Sequence, residues 1–268
     1  MNTHTVEKLN DLNLTFYREI APYFDSSRSY PWNGWEQLFT TLSTVQPELL
    51  HSKETTIPIQ SLRVLDVGCG NGRFVEFLEK NHVQFTYLGS DSDTYLLDKA
   101  RERYNSQQVQ FIQNDIIRDL SKGTGKLHGK DLKKRQAPGQ FNLIVAFGVL
   151  HHIPSYKLRL KFLKQLAGNL ASNGFLIVSI WKFMELESYK KKAIPWIKTD
   201  IKPEALEPHD YLLPWQRGRE AIRYCHYVDS EEQMKLITES KLKLVASFRA
   251  DGRQDRMNEY LMLQYIDG

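Results

Sequence analysis

The chain has 268 residues, 41% hydrophobic and 12% aromatic, with 36 basic and 32 acidic side chains giving a formal charge of +4. That length and apolar content suit one large α/β domain with appended elements, and a mean hydropathy of −0.48 without a long uncharged apolar run excludes a membrane-spanning helix. Residues 1–13 are too polar for a signal peptide and the two cysteines do not form a disulfide framework, so a cytoplasmic protein is expected.

Val6, Leu9, Leu12, Phe16, Ile20 and Tyr23 recur at three- and four-residue steps, predicting a helix over 5–24 with one apolar stripe that stops near Pro22. A turn-rich aromatic segment then leads to a second helix through Leu38, Phe39, Leu42 and Val45, completing an N-terminal helical cap over 1–55. From 56 to 268 the pattern alternates. Strands at 62–67, 85–90, 109–113, 141–147 and 174–181 are separated by helices at 73–81, 93–104 and 155–171, the rhythm of a parallel sheet covered on both faces. A helix at 231–240 and two strands at 241–248 and 258–266 then close the sheet with an antiparallel hairpin.

Two insertions interrupt this rhythm. Residues 118–140 carry Lys122, Lys126, Lys130, Lys133, Lys134 and Arg135 among glycines, which taken alone reads as a solvated basic loop. The second, 182–228, mixes Lys190, Lys191, Lys192, Lys198, Lys202, Arg217 and Arg219 with Trp196, Tyr211, Trp215 and Tyr224. Cations interleaved with aromatics suit phosphates and stacked bases, making this the expected substrate-recognition segment.

The first strand ends in Asp66 and runs into Gly68-Cys69-Gly70-Asn71-Gly72; the second ends at Gly89-Ser90-Asp91, roughly 20 residues beyond the loop, where ribose hydroxyls are usually held. No Gly-Lys-Ser/Thr follows for a phosphate loop, and alternate glycines differ from the wider spread beneath a pyrophosphate. Asp66 would repel a pyrophosphate but suits the ammonium and sulfonium of S-adenosylmethionine. Asp66 as a helix cap and Asp115 as a turn residue are the blander readings. His151 and His152 are adjacent, so their side chains are expected to diverge, and no third ligand is spaced nearby; a structural role is expected for both, and no metal site.

From 62 to about 181 the chain resembles the class I S-adenosylmethionine-dependent methyltransferases. The resemblance implies an α/β, Rossmann-like fold: a mostly parallel seven-stranded sheet, helices on both faces and a C-terminal antiparallel hairpin. It implies S-adenosylmethionine as cofactor, held by Asp66, Gly68, Cys69, Gly70, Asn71 and Gly72, by Asp91 and Ser92 at the ribose, by Asp115 and Ile116 at the adenine, and by a wall containing Phe147 and Leu150. Outside this core, Phe16-Tyr17-Arg18-Glu19-Ile20-Ala21-Pro22-Tyr23-Phe24-Asp25-Ser26-Ser27-Arg28-Ser29-Tyr30-Pro31-Trp32, Val149-Leu150-His151-His152, Asp210-Tyr211-Leu212-Leu213-Pro214-Trp215 and Arg223-Tyr224-Cys225-His226-Tyr227 resemble the tRNA wobble-uridine carboxymethyl methyltransferases. These esterify the carboxylate of 5-carboxymethyluridine, which implies a tRNA anticodon stem-loop as partner; eukaryotic relatives use a small zinc-binding activator subunit.

A carboxylate acceptor is ionised at pH 7 and needs no general base, only a cation to orient it and exclusion of water. Arg28 and Arg223, each flanked by aromatics, are the candidates to orient the acceptor, with Trp215, Tyr224 and His226 as further substrate contacts. Two other assignments stay open for Arg28, the cofactor's own carboxylate and a surface pair with Asp25. A small-molecule O- or N-methyltransferase of the same fold is the alternative function, and a protein that keeps the fold without the reaction is a third.

Overall fold

The computed structural model describes residues 1–28, 30–49, 61–123, 141–252 and 254–266. In chain order the helices are α1 (Thr3–Ser26), α2 (Asn33–Val45), α3 (Arg73–Lys80), α4 (Thr94–Arg103), α5 (Ile116–Lys122), α6 (Tyr156–Ala167), the single turn α7 (Glu187–Lys190) and α8 (Ser230–Glu239). The strands are β1 (Leu62–Val67), β2 (Phe85–Asp91), β3 (Val109–Gln113), β4 (Phe141–Phe147), β5 (Leu170–Trp181), β6 (Asp210–Arg217), β7 (Arg219–His226), β8 (Leu242–Ala250) and β9 (Asn258–Tyr265). Seven strands form one sheet in the order β3-β2-β1-β4-β5-β9-β8, and β6 pairs with β7 in a separate hairpin. Pairing is parallel from β3 to β5, while β9 is antiparallel to both β5 and β8, the architecture anticipated from the strand rhythm.

Alternation along β1 sorts its side chains between two cores. Leu65 and Val67 face a layer built with α5, α6 and α8, through residues such as Ile117, Leu120, Phe162 and Leu236. Leu62 and Val64 face the opposite layer, where Trp35, Leu38, Phe39 and Leu42 of α2 meet Phe74, Phe77 and Leu78 of α3. The second N-terminal helix is therefore part of the main core. Among the described residues, no helix is long and apolar enough to cross a membrane.

Two expectations are corrected, and a third segment acquires its structure. The first helix continues through Pro22 to Ser26. A proline removes one rung of the helical ladder, but the following turn is held from outside: Asp25 accepts from both terminal nitrogens of Arg103 at 2.8 Å and from the Asn71 amide at 2.7 Å. Residues 118–122 of the basic insertion lie in α5, whose start Asp115 caps; 124–140 lie outside the described residues. The aromatic insertion contains the β6–β7 hairpin, packed against α1 and joined by the Tyr224 amide donating to Asn13 Oδ1 at 2.8 Å.

A buried ionic network fastens that hairpin to the sheet domain. Arg159, 1% exposed, donates from Nη2 to Glu207 at 2.8 Å and from Nε to Glu232 at 2.6 Å. The imidazole of His226 bridges Asp210 and Glu232 at 2.7 Å on either side, and the Tyr224 hydroxyl donates to Asp210 at 2.8 Å. Burial alone would lower the His226 pKa; hydrogen bonds to the two carboxylates outweigh it and raise it. Removing one member of a buried ionic group strands its partners, at a cost of roughly 3–5 kcal/mol. Arg159→Ala is therefore expected to lose about that much stability in urea unfolding, and a loss under about 1 kcal/mol would mean water replaces the guanidinium without penalty.

Candidate active site

The chain enters the sheet at β1, winds outward through β2 and β3, and returns to β4 on the other side of β1. Crossovers leave in opposite directions from this reversal, so a crevice opens at the carboxyl ends of β1 and β4. A cavity of about 760 Å³ lies there. Its floor is Asp66–Cys69 from β1 and the loop after it, Ser90–Ser92 from β2, and Phe147–Val149 from β4; α1 and the β6–β7 hairpin supply the opposite wall.

The glycine loop has the backbone that this close approach needs. Gly68 and Gly70 adopt φ of +75° and +54°, and a Cβ on Gly68 would lie 2.4 Å from Val149 Cγ2. The Gly70 amide donates to Asp91 Oδ2 at 2.8 Å and the Asp93 amide to Oδ1 at 2.9 Å, which fixes the carboxylate at the cavity edge. Asp66 is 3% exposed and accepts from the Tyr87 hydroxyl at 2.6 Å. Burial pushes the carboxyls up to about 7 for Asp66 and about 6 for Asp91. Such groups hold protons near neutrality and favour a cation, which restores their ionised form.

Arg28 and Arg223 line the same cavity, as does Arg73, and the Arg28 carbonyl accepts from the Asn71 side-chain amide of the glycine loop at 3.4 Å. The Arg223 guanidinium carbon is 4.7 Å from the Trp181 ring centroid and 5.4 Å from that of Phe16; Arg28 lies 5.2 Å from Phe24. Neither forms an ion pair with the described residues, and the Nε of each is buried without a hydrogen-bond partner. Asp25 is taken by Arg103 and Asn71, so the surface pairing of Arg28 with Asp25 is not formed. Burial lowers the Arg28 pKa, and the charges of Arg223 and Arg217 lower it further.

Most residues expected at the cofactor line this cavity: Asp66, Gly68, Cys69, Gly70, Asn71, Asp91, Ser92, Asp115, Ile116 and Phe147. The Asp115 carboxylate already caps α5 through the Arg118 amide at 3.0 Å and accepts from the Asn10 amide at 3.0 Å. Gly72 and Leu150 do not line the cavity: Gly72 precedes α3 beneath Tyr104 and Phe111, and Leu150 packs in the core. Among the expected substrate contacts Trp215 lines the cavity, whereas Tyr224 and His226 are turned into the ionic network. Residues alternate faces along a strand, so once Arg223 faces the cavity its neighbour cannot.

The histidine expectation is also corrected. The rings of His151 and His152 lie 4.1 Å apart, and Cys225 brings a third potential ligand, all three donor atoms lying within 4.8 Å. The His152 ring is committed on both sides: Nδ1 lies 3.0 Å from the Tyr224 carbonyl and 3.2 Å from the Asn13 side-chain amide nitrogen, and Nε2 lies 2.8 Å from the Tyr17 hydroxyl. Burial first, then the Arg223 charge, takes His152 down to about 3; burial, His152 and Arg223 hold His151 well below its usual value. Both are neutral at pH 7, and the same nearby guanidinium opposes a divalent cation.

Asn10, Asn13 and Tyr17 of α1 line the cavity and were not singled out in the sequence. A signal for two of them existed. Asn10 and Asn13 interrupt the apolar stripe of α1 one turn apart, yet both are buried, and a buried amide has to find partners.

The carboxyls of Asp66 and Asp91 titrate higher in the folded state than in the unfolded chain, so the folded state binds more protons. Their contribution to stability is complete below about pH 4 and is lost as pH rises through 6 and 7. Asp66→Asn should therefore stabilise the ligand-free protein at pH 8 by roughly 1–4 kcal/mol and change it little at pH 4. Equal denaturation midpoints for variant and parent at pH 8 would contradict this electrostatic account.

A family model described as a methyltransferase domain matches residues 34–246. The chain is 25% identical over 202 residues to a probable tRNA methyltransferase 9B of Mus musculus, covering 75% of this chain and 33% of that protein. It is 22% identical over 198 residues to the tRNA (carboxymethyluridine(34)-5-O)-methyltransferase of Saccharomyces cerevisiae, covering 70% of this chain and 58% of that one. The chain thus spans about a third of the length of the mouse relative. The solved structure of the CcbJ methyltransferase from Streptomyces caelestis superposes with a TM-score of 0.61 at 15% identity, covering 94% of this chain and 98% of that one.

Proposed function

The chain belongs to the methyltransferase-domain family, and from that membership we propose that it uses S-adenosylmethionine to esterify the carboxylate of a carboxymethyluridine-type wobble base in tRNA. The observation that carries the acceptor half is the pair of guanidiniums, Arg28 and Arg223, which line the cavity together with Asp66 and Asp91 and have no ion pair among the described residues. A cavity lined by both buried carboxyls and guanidiniums fits a cationic donor and an anionic acceptor. The tRNA methyltransferases among its relatives support RNA as the carrier of that acceptor.

S-adenosylmethionine supplies an electrophilic methyl group. The residues that would hold it are Asp91 with its two fixed lone-pair directions, the Gly68–Asn71 backbone, and Asp66 beneath. Arg28 and Arg223 orient the acceptor carboxylate by charge-assisted hydrogen bonds through donors the protein leaves unused. A carboxylate oxygen needs no deprotonation, so the transfer does not call on His151 and His152, whose basicity burial and the Arg223 charge reduce. The aromatic walls of Trp32, Phe147, Trp181 and Trp215 exclude water, so positioning supplies the rate.

Incubation with labelled S-adenosylmethionine and RNA carrying 5-carboxymethyluridine at the wobble position should yield a base-labile methyl ester, identified by nucleoside mass spectrometry. Label on small carboxylic acids but on no nucleoside would overturn the RNA assignment. Arg223→Ala should lower kcat/KM for the acceptor by on the order of 100-fold, with partial recovery in Arg223→Lys. Turnover of Arg223→Ala within threefold of the parent would remove Arg223 from the acceptor site.

A further inference from the structure

One carboxylate is matched by Arg28 and Arg223, yet the cavity holds more positive charge than that. Arg217 and Lys192 line it as well, both exposed and neither in an ion pair with the described residues. Arg217 lies 5.9 Å from the ring centroid of Trp215, and the Lys192 ammonium 6.0 Å from that of Tyr189. The charges of Arg223 and Arg217 both act on Arg28, so these three arginines repel one another.

The position of Arg217 is built into the fold. It precedes the hairpin turn at Gly218, whose φ is +77° and where a Cβ would lie 2.1 Å from the ring of Tyr23 on α1. The Trp215 indole donates to the Arg217 carbonyl at 2.8 Å, closing the same turn. The next cation, Arg219, pairs with Glu19 of α1 at 3.6 Å and does not line the cavity. Of the two arginines flanking Gly218, only one is left without an acidic partner at the cavity.

We propose that Arg217 and Lys192 form a phosphate subsite at the cavity rim, so that the acceptor is recognised as a nucleotide whose carboxylate lies at Arg28 and Arg223 and whose phosphate lies at the rim. This rests on the acceptor reading given above and adds a second anionic group to it. Guanidinium and ammonium groups are both suited to phosphate, and aromatic faces beside them suit an adjoining base. The phosphate of a free mononucleotide and that of an RNA strand share this chemistry.

The test is equilibrium binding, by calorimetry, of 5-carboxymethyluridine, its 5′- and 3′-monophosphates, and a short RNA carrying the same base. The parent protein should bind at least one monophosphate tenfold or more tighter than the nucleoside, and the Arg217→Ala/Lys192→Ala double variant should reduce that ratio below threefold. Arg219→Ala, folded by circular dichroism, should keep the tenfold ratio, while Arg217→Lys should keep part of it. RNA binding tighter than the monophosphates identifies a strand as the source; equal affinity identifies a mononucleotide. A parent ratio near one, or a ratio untouched in the double variant, overturns the subsite. A phosphate ratio that holds while no carboxymethyl compound is methylated overturns the acceptor reading and leaves the subsite standing.

Discussion

The reversal of strand order between β1 and β4 is the constraint on which the rest of this site depends. It opens a crevice at the carboxyl ends of the strands, and backbone, not side chain, has to line the bottom of that crevice. Gly68 meets the demand directly: Val149 from beyond β4 occupies the space where a Cβ would stand. Asp66 and Asp91 follow from the same geometry, since each lies at or beside the end of a buried strand where its charge is poorly solvated.

Helix α1 walls that crevice on the side facing the sheet ends. Asn10 reaches the start of α5, Asp25 reaches Asn71 in the glycine loop, and Asn13 with Tyr17 reaches β7 and His152. One helix thus touches both the glycine-loop side and the hairpin side of the cavity. The ionic network around Arg159 and His226 holds the hairpin against the sheet domain, and the hairpin in turn presents Arg223 and Arg217. Charges satisfied in that network are structural, and those left partnerless inside the cavity are available to a ligand.

The fold was legible because its signals are local. Short apolar runs with period two, helical stripes and the glycine loop each occupy fewer than about 25 consecutive residues, so strands β1 to β4 were located from pattern alone. Pro22 misled because the contacts that hold the last turn of α1 come from Asn71 and Arg103, far along the chain. The Cys225 neighbour of the two histidines was hidden for the same reason.

Composition and pattern by themselves determined a doubly covered parallel sheet and an acid-flanked glycine loop, because strand period, turn chemistry and loop spacing act between near neighbours. Only the tertiary structure decided that Arg28 and Arg223 face one another's cavity while Tyr224 and His226 do not. Both faces of β7 carry polar residues, Arg219 and Arg223 on one and Glu220 and His226 on the other, so alternation fixes that neighbours diverge without saying which set turns inward. Packing against α1 and the buried Asp210–Glu232 network makes that choice, placing Arg223 where no carboxylate among the described residues pairs with it.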